Sequence, residues 1–129
     1  MEKKNPISEA RRYYDNAKEV IKKVNYDTSR KMYTDSQYVK MAGNTLWNGC
    51  LMALDGVLKV REGKGRPSIG KYEEAVGKRD RKLLDFIVVG YNTMHLAMGY
   101  DGNLDRRVCD AGFDNAKAII DRCAALYKA

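Results

Sequence analysis

Residues 41–58 read MAGNTLWNGCLMALDGVL, with Asp55 as the one formal charge. Steps of three and four resolve the segment, with Tyr38 before it, into two apolar stripes. Tyr38, Met41, Ala42, Leu46, Gly49, Met52, Ala53 and Val57 form the first; Trp47, Cys50, Leu51, Leu54 and Leu58 form the second. That period belongs to an α-helix. A helix apolar on this much of its circumference is buried on several sides or faces a partner chain. The pattern from Thr34 to Gln37 matches a capping box and starts the helix, which is predicted to run to about Lys59.

Downstream, residues 61–70 read REGKGRPSIG. Glycines, a proline and four charges mark an exposed loop. Ser68 is placed to cap a short helix holding Tyr72, Ala75 and Val76, with Glu73 and Glu74 near its positive end. Gly77 and Asp80 break the pattern. A third long helix is expected from about Asp80 to Met98, with Leu84, Ile87, Val88, Tyr91, His95 and Met98 inward. GYDGN then closes it at Gly99. A last helix begins near Leu104.

Upstream, Asn5 and Pro6 open the first helix, as an acceptor for free amides and a residue suited to the first turn. Its stripe is Ala10, Tyr13, Tyr14, Ala17, Val20, Ile21 and Val24. No convincing period-two strand interrupts the series. The expected architecture is all-α: one domain over 1–129, an antiparallel up-down four-helix bundle with an extra short helix in the 61–80 connection. The 129 residues suffice for one core without staples.

The two terminal helices echo each other. Residues 14–21 read YDNAKEVI and residues 113–120 read FDNAKAII. Tyr14, Ala17 and Ile21 hold the same inward offsets as Phe113, Ala116 and Ile120. Asp15 with Lys18, and Asp114 with Lys117, read as charge pairs three residues apart. Asn16 and Asn115 sit at the boundary, where either can bond to a neighbouring helix. Equivalent packing faces, perpetuated in two helices, explain the echo without a shared chemical motif.

Composition excludes several classes of function. No apolar run approaches the roughly 20 residues of a membrane span. The opening MEKKNPISEARR has no hydrophobic stretch behind its charges, so no secretory signal is expected. Cys50, Cys109 and Cys123 form no CxxC and fall within helical patterns, which predicts reduced core thiols in a cytoplasmic protein. One histidine and scattered cysteines offer no metal site, and no cofactor is expected. Neither a GxSxG elbow nor an ExxH occurs.

The charge of +7 is uneven: residues 1–31 carry +4 and residues 59–82 carry +5. Arg61, Lys64 and Arg66 in the basic loop are the binding candidates for phosphate or an acidic partner. Without glycine-rich phosphate loops or aromatic platforms beside the charges, a solvated surface is the plainer reading. The tyrosines and methionines fall largely on inward stripes, as core material.

His95, the one histidine, is the principal chemical candidate. Asn92 precedes it by one turn, and Tyr91, Tyr100 and Asp101 lie close in sequence. Such a group near a helix end suits a general base or a phosphate contact. Packing on the inner stripe explains the same residue. Trp47 and Met52 are candidate contact anchors, tryptophan being enriched in binding hot spots.

The order of elements around VVGYNTMHLAMGYDG resembles the HEPN-type bundles of bacteria, and also a group of uncharacterised bacterial helical-bundle proteins of this length. Catalytic HEPN domains are ribonucleases, often dimeric, whose motif pairs Arg and Asn with a His along one helix. Others act as partners or binding modules beside a nucleotidyltransferase. Here His95 matches in type, Asn92 stands three residues before it where the pattern has four, and Val89, Gly90 and Tyr91 stand where an arginine is expected. The resemblance therefore implies a partner role or a degenerate ribonuclease associated with nucleic acid. From its residues, the chain is expected to be a non-enzymatic module acting through protein contacts, as a homodimer.

Overall fold

A computed structural model describes residues 5–58 and 67–127. The chain is mostly helical. Its order is α1 (Pro6–Lys22), β1 (Tyr26–Asp27), β2 (Met32–Tyr33), α2 (Ser36–Val57), α3 (Ile69–Arg79), α4 (Arg81–Gly90), a π-helix (Tyr91–Tyr100) and α5 (Arg106–Leu126). The all-α expectation holds at this level, and α3 is the short helix foreseen in the 61–80 connection.

Local chemistry explains where most helices begin. Asn5 accepts from the amides of Ile7 and Ser8, with Pro6 in the first turn of α1. Ser68 accepts from Lys71 N at the start of α3. Asp80 accepts from Leu83 N at the start of α4. The expected capping box is displaced by one residue. Asp35, not Thr34, caps α2 by accepting from Gln37 N, while Thr34 Oγ1 donates to Asn25 O. α2 ends at Val57, with Leu58 already extended.

Between α1 and α2 the structure adds a small antiparallel hairpin that the sequence reading lacks. Tyr26 pairs with Tyr33 and Asp27 with Met32. Asp27 Oδ1 accepts from the amides of Ser29 and Arg30 and from Ser29 Oγ, which builds the turn. Lys31 completes it at a φ of 56°. Two-residue strands are too short to show alternation. Their stability comes from a distant partner: Tyr33 N donates to Leu104 O, and Arg106 N to Lys31 O.

α2 is the central element and packs against α1, α5 and the π-helix. Val39, Ala42, Leu46, Cys50, Ala53 and Leu54 are essentially inaccessible to solvent. Both its stripes are thus largely covered within the chain. Met41, expected inward, is instead 52% exposed.

The third long helix also differs from expectation. Its buried line is Leu83, Ile87, Gly90, Met94 and Met98. Tyr91 and His95 are half-buried and Val88 is exposed. Val88, apolar yet on the outer side, misled the reading of the stripe. Nor does the helix close at Gly99: the chain turns at Gly102, whose φ of 63° suits a residue without Cβ.

Candidate functional site

At Gly90–Tyr91 the i→i+4 helix widens without a break, since Tyr91 keeps right-handed helical angles. Such a change of register sets competing demands on the carbonyls at the junction. Side chains take part: Asn92 Nδ2 donates to Val88 O at 2.9 Å, and Thr93 Oγ1 to Val89 O at 3.1 Å and Gly90 O at 3.3 Å. Asn115 Nδ2 in turn donates to Thr93 Oγ1 at 2.8 Å, tying α5 to the junction. Wide helical turns recur at functional sites.

This segment forms one wall of a cleft of about 380 Å³. Tyr91 and His95 come from the π-helix. Asn44, Trp47, Asn48 and Leu51 come from α2, facing Pro67, Ile69 and Tyr72 at the start of α3. The Tyr91 and His95 rings lie 5.1 Å apart and 32° from parallel. Trp47 meets Tyr91 edge-on at 5.8 Å and 68°. It stands 6.1 Å from His95. Tyr91 and His95, one turn apart on the π-helix, thus pack as an aromatic cluster with the buried Trp47 of the facing helix.

Among the described residues, the polar groups of the cleft are amides, phenols and an imidazole. Asn44 Nδ2 donates to Gly99 O at 3.4 Å, a long bond. Among the described residues, the side chains of Asn48, Tyr91 and His95 make no hydrogen bond, while no buried polar atom is left unsatisfied. Their polar atoms are thus open to water and to a ligand. Tyr72 is buried and donates to Asp55 Oδ1 at 2.6 Å, fixing α3 against α2.

The structure brings His95, Tyr91 and Trp47 together. It does not bring Asn92 to them: that side chain is exposed and held at the Val88 carbonyl. Tyr100, 76% exposed, and Asp101 lie beyond the cleft and do not line it. Arg61, Lys64 and Arg66 lie outside the described residues. Asn44, Asn48 and Tyr72 were missed as site residues. Two asparagines four apart, flanking Trp47 in an otherwise apolar helix, were the available signal, since polar side chains in such a setting need a reason. Among the described residues no group of His, Cys, Asp and Glu is placed to hold a metal ion. None of their helices is long and apolar enough to cross a membrane.

A second groove of about 470 Å³ runs between α1 and α5 and is lined by the echoed segments. Tyr14 and Phe113 meet across it, edge to face. The charges of the echoed segments depart from the expected pairs: Lys18 Nζ lies 4.9 Å over the Tyr14 ring, and Lys117 pairs with Asp121 at 3.1 Å. Ala17 and Ala116 are fully buried, as their shared offset implied. This groove is a packing seam with cations and carboxylates on its rim.

The family model of a domain of unknown function, DUF5618, matches residues 5–125. Among solved structures, the chain is similar to a protein of unknown function from Dyadobacter fermentans. The two are 36% identical, with a TM-score of 0.86, over 97% of this chain and 98% of that one. No curated protein matches the chain. Neither match carries a HEPN description.

Proposed function

This chain belongs to the DUF5618 family, and from that premise we propose a non-enzymatic cytoplasmic helical module that works through protein contacts, first with a second copy of itself. The observation that carries this reading is the adjacent pair Val88 and Val89, 43% and 50% exposed on the outer side of α4. Single apolar residues on a surface are ordinary. The two β-branched neighbours stand opposite the buried Leu83–Ile87–Gly90 line, on a face they share with the exposed Arg81, Asp85 and Asn92. This face takes the place of α2, whose stripes α1, α5 and the π-helix cover. The position of Asn92 supports a non-catalytic role, because its amide serves the backbone and not His95.

We read the architecture as an antiparallel up-down four-helix bundle in which α4 and the π-helix count as one rod. Gly43 packs at Met98 and Gly99, whereas Trp47 lies by Gly90, so the rod runs opposite to α2. Sedimentation equilibrium tests the self-association. A dimer at tens of micromolar that Val88→Glu/Val89→Glu converts to monomer, with unchanged helicity, is expected. A strict monomer at the highest soluble concentration removes the reading.

A second reading is a HEPN-like protein associated with nucleic acid, or a degenerate ribonuclease. What favours it is His95 on the wall of an open cleft beside Trp47 and Tyr91. Phosphate contacts weaken steeply with salt. Retention of RNA at low salt and its loss at high salt support this reading, and no retention at low salt ends it. RNA cleavage abolished by His95→Ala makes the protein an enzyme.

A further inference from the structure

The cleft between α2, α3 and the π-helix has no Asp, Glu, Lys or Arg among its described lining residues, and it is rich in hydrogen-bonding groups. We propose that it is a binding site for one nucleobase, which stacks on Tyr91 and His95 beside the buried Trp47 and is read along its edge by Asn44 and Asn48. The proposal goes beyond both readings above, since it requires neither self-association nor cleavage.

Three observations converge on this ligand class. First, the Tyr91 and His95 rings, 5.1 Å apart and 32° from parallel, form a half-buried aromatic platform on one wall. Flat aromatic ligands gain from such faces, and every base has one. Second, carboxamides stand beside the platform. Each carries an acceptor and two donors side by side, the complement of a ring N–H next to a carbonyl or of a ring nitrogen next to an amino group. Asn48 has no other side-chain bond among the described residues, and Asn44 has only its long bond to Gly99 O. Third, the size selects against larger ligands. About 380 Å³ lies at the small end of ligand pockets, enough for a base with its sugar and too little for a dinucleotide.

The base has two sources of the same chemistry, a free nucleoside or an unstacked base of single-stranded RNA. Trp47 is the sole tryptophan and lines the cleft, so its fluorescence reports occupancy directly. The full chain is titrated with adenosine, guanosine, cytidine and uridine, with ribose as control, and then with short single-stranded oligonucleotides at low and high salt. A saturable change with at least one nucleoside and none with ribose is expected. Asn48→Ala and His95→Ala are expected to weaken it about tenfold, with unchanged circular dichroism. Asn48 is exposed, so its substitution tests the site even where His95→Ala perturbs folding.

Oligonucleotide binding that is tighter than nucleoside binding, and equally sensitive to both substitutions, assigns the base to RNA and supports the site. Nucleoside binding alone assigns it to a free ligand. No saturable change with any nucleoside or oligonucleotide overturns the proposal. So does oligonucleotide binding that salt abolishes and neither substitution affects, because that places the contact elsewhere. Saturation by a proline-rich peptide with no response to nucleosides also overturns it in favour of a protein ligand.

Discussion

Tyr14 on α1 and Phe113 on α5 meet edge to face, with ring centroids 5.7 Å apart and planes at 83°. These are corresponding positions of the echoed segments, so the repetition in sequence becomes a contact in space. Aromatic pairs in this geometry contribute about 0.5–1.5 kcal/mol beyond burial. A cycle of Tyr14→Leu, Phe113→Leu and the double substitution, followed by urea unfolding, is expected to return a coupling of that size. Strict additivity of the two substitutions would mean that the rings merely fill space.

Gly43 marks the closest approach of α2 to the π-helix. A Cβ there would fall 2.5 Å from Met98 Cβ, 2.7 Å from Gly99 N and 2.8 Å from Met94 O. Backbone on one side leaves little room to yield. Gly43→Ala should lower stability by about 1–3 kcal/mol, as overpacking does. Gly70→Ala is the contrast: its nearest foreign atom is Ser68 Oγ at 3.9 Å, and it lies exposed in α3. Its melting temperature should stay level or rise slightly, because alanine restricts the unfolded chain.

Asp80 serves two elements at once. It caps α4 and accepts from Arg122 Nε on α5, at 3.1 Å to each oxygen. The Arg122 side chain above all, and then Leu83 N–H, hold the carboxyl below its usual range. A group whose folded value is depressed stabilises fully above its unfolded value, near pH 4, and loses that contribution as pH falls through the folded value. Asp80→Asn should therefore be less stable than the wild type at neutral pH, with the gap closing in acid below about pH 4. Urea midpoints across pH 2–7 check this, and a gap that widens in acid would contradict it.

Cys50, Cys109 and Cys123 are all free and buried. Burial pushes the Cys109 and Cys123 thiols up to about 12, and Cys50 well above its ordinary value. The thiolate is the reactive form. Alkylation of the native protein at pH 8, read by mass spectrometry, should be slow at all three and complete in urea. Reaction of any one at the rate of a free thiol would show that its helix opens locally.

Signals written within a few residues were legible in the sequence. Asn5 and Ser68 cap helices because each needs only the amides of its own next turn. Gly99 misled for the opposite reason: Gly102 turns the chain, against Ser36 and Lys40 of a distant helix. The hairpin could not be read from NYDTSRKMY, since its outer edge rests on Leu104 and Arg106. The sequence places Tyr91 beside His95, whereas Trp47 stands apart from both. That they share a wall, while Asn92 turns away to Val88 O, depends on how α2 crosses the π-helix, and no spacing records that.

The ten-residue π-helix makes chain length itself a constraint. Met98 sits on two glycines, Gly43 of α2 and Gly112 of α5, each of which leaves room for it where a Cβ would collide. Remove one residue between Tyr91 and Tyr100, and the ordinary register has the means to run through. Everything beyond the deletion would then swing by about 100° around the axis. Met98 would leave its double seat, and Tyr91 and His95 would no longer share a wall. Relatives with this cleft are expected to tolerate changed letters in the segment far better than a changed number of them.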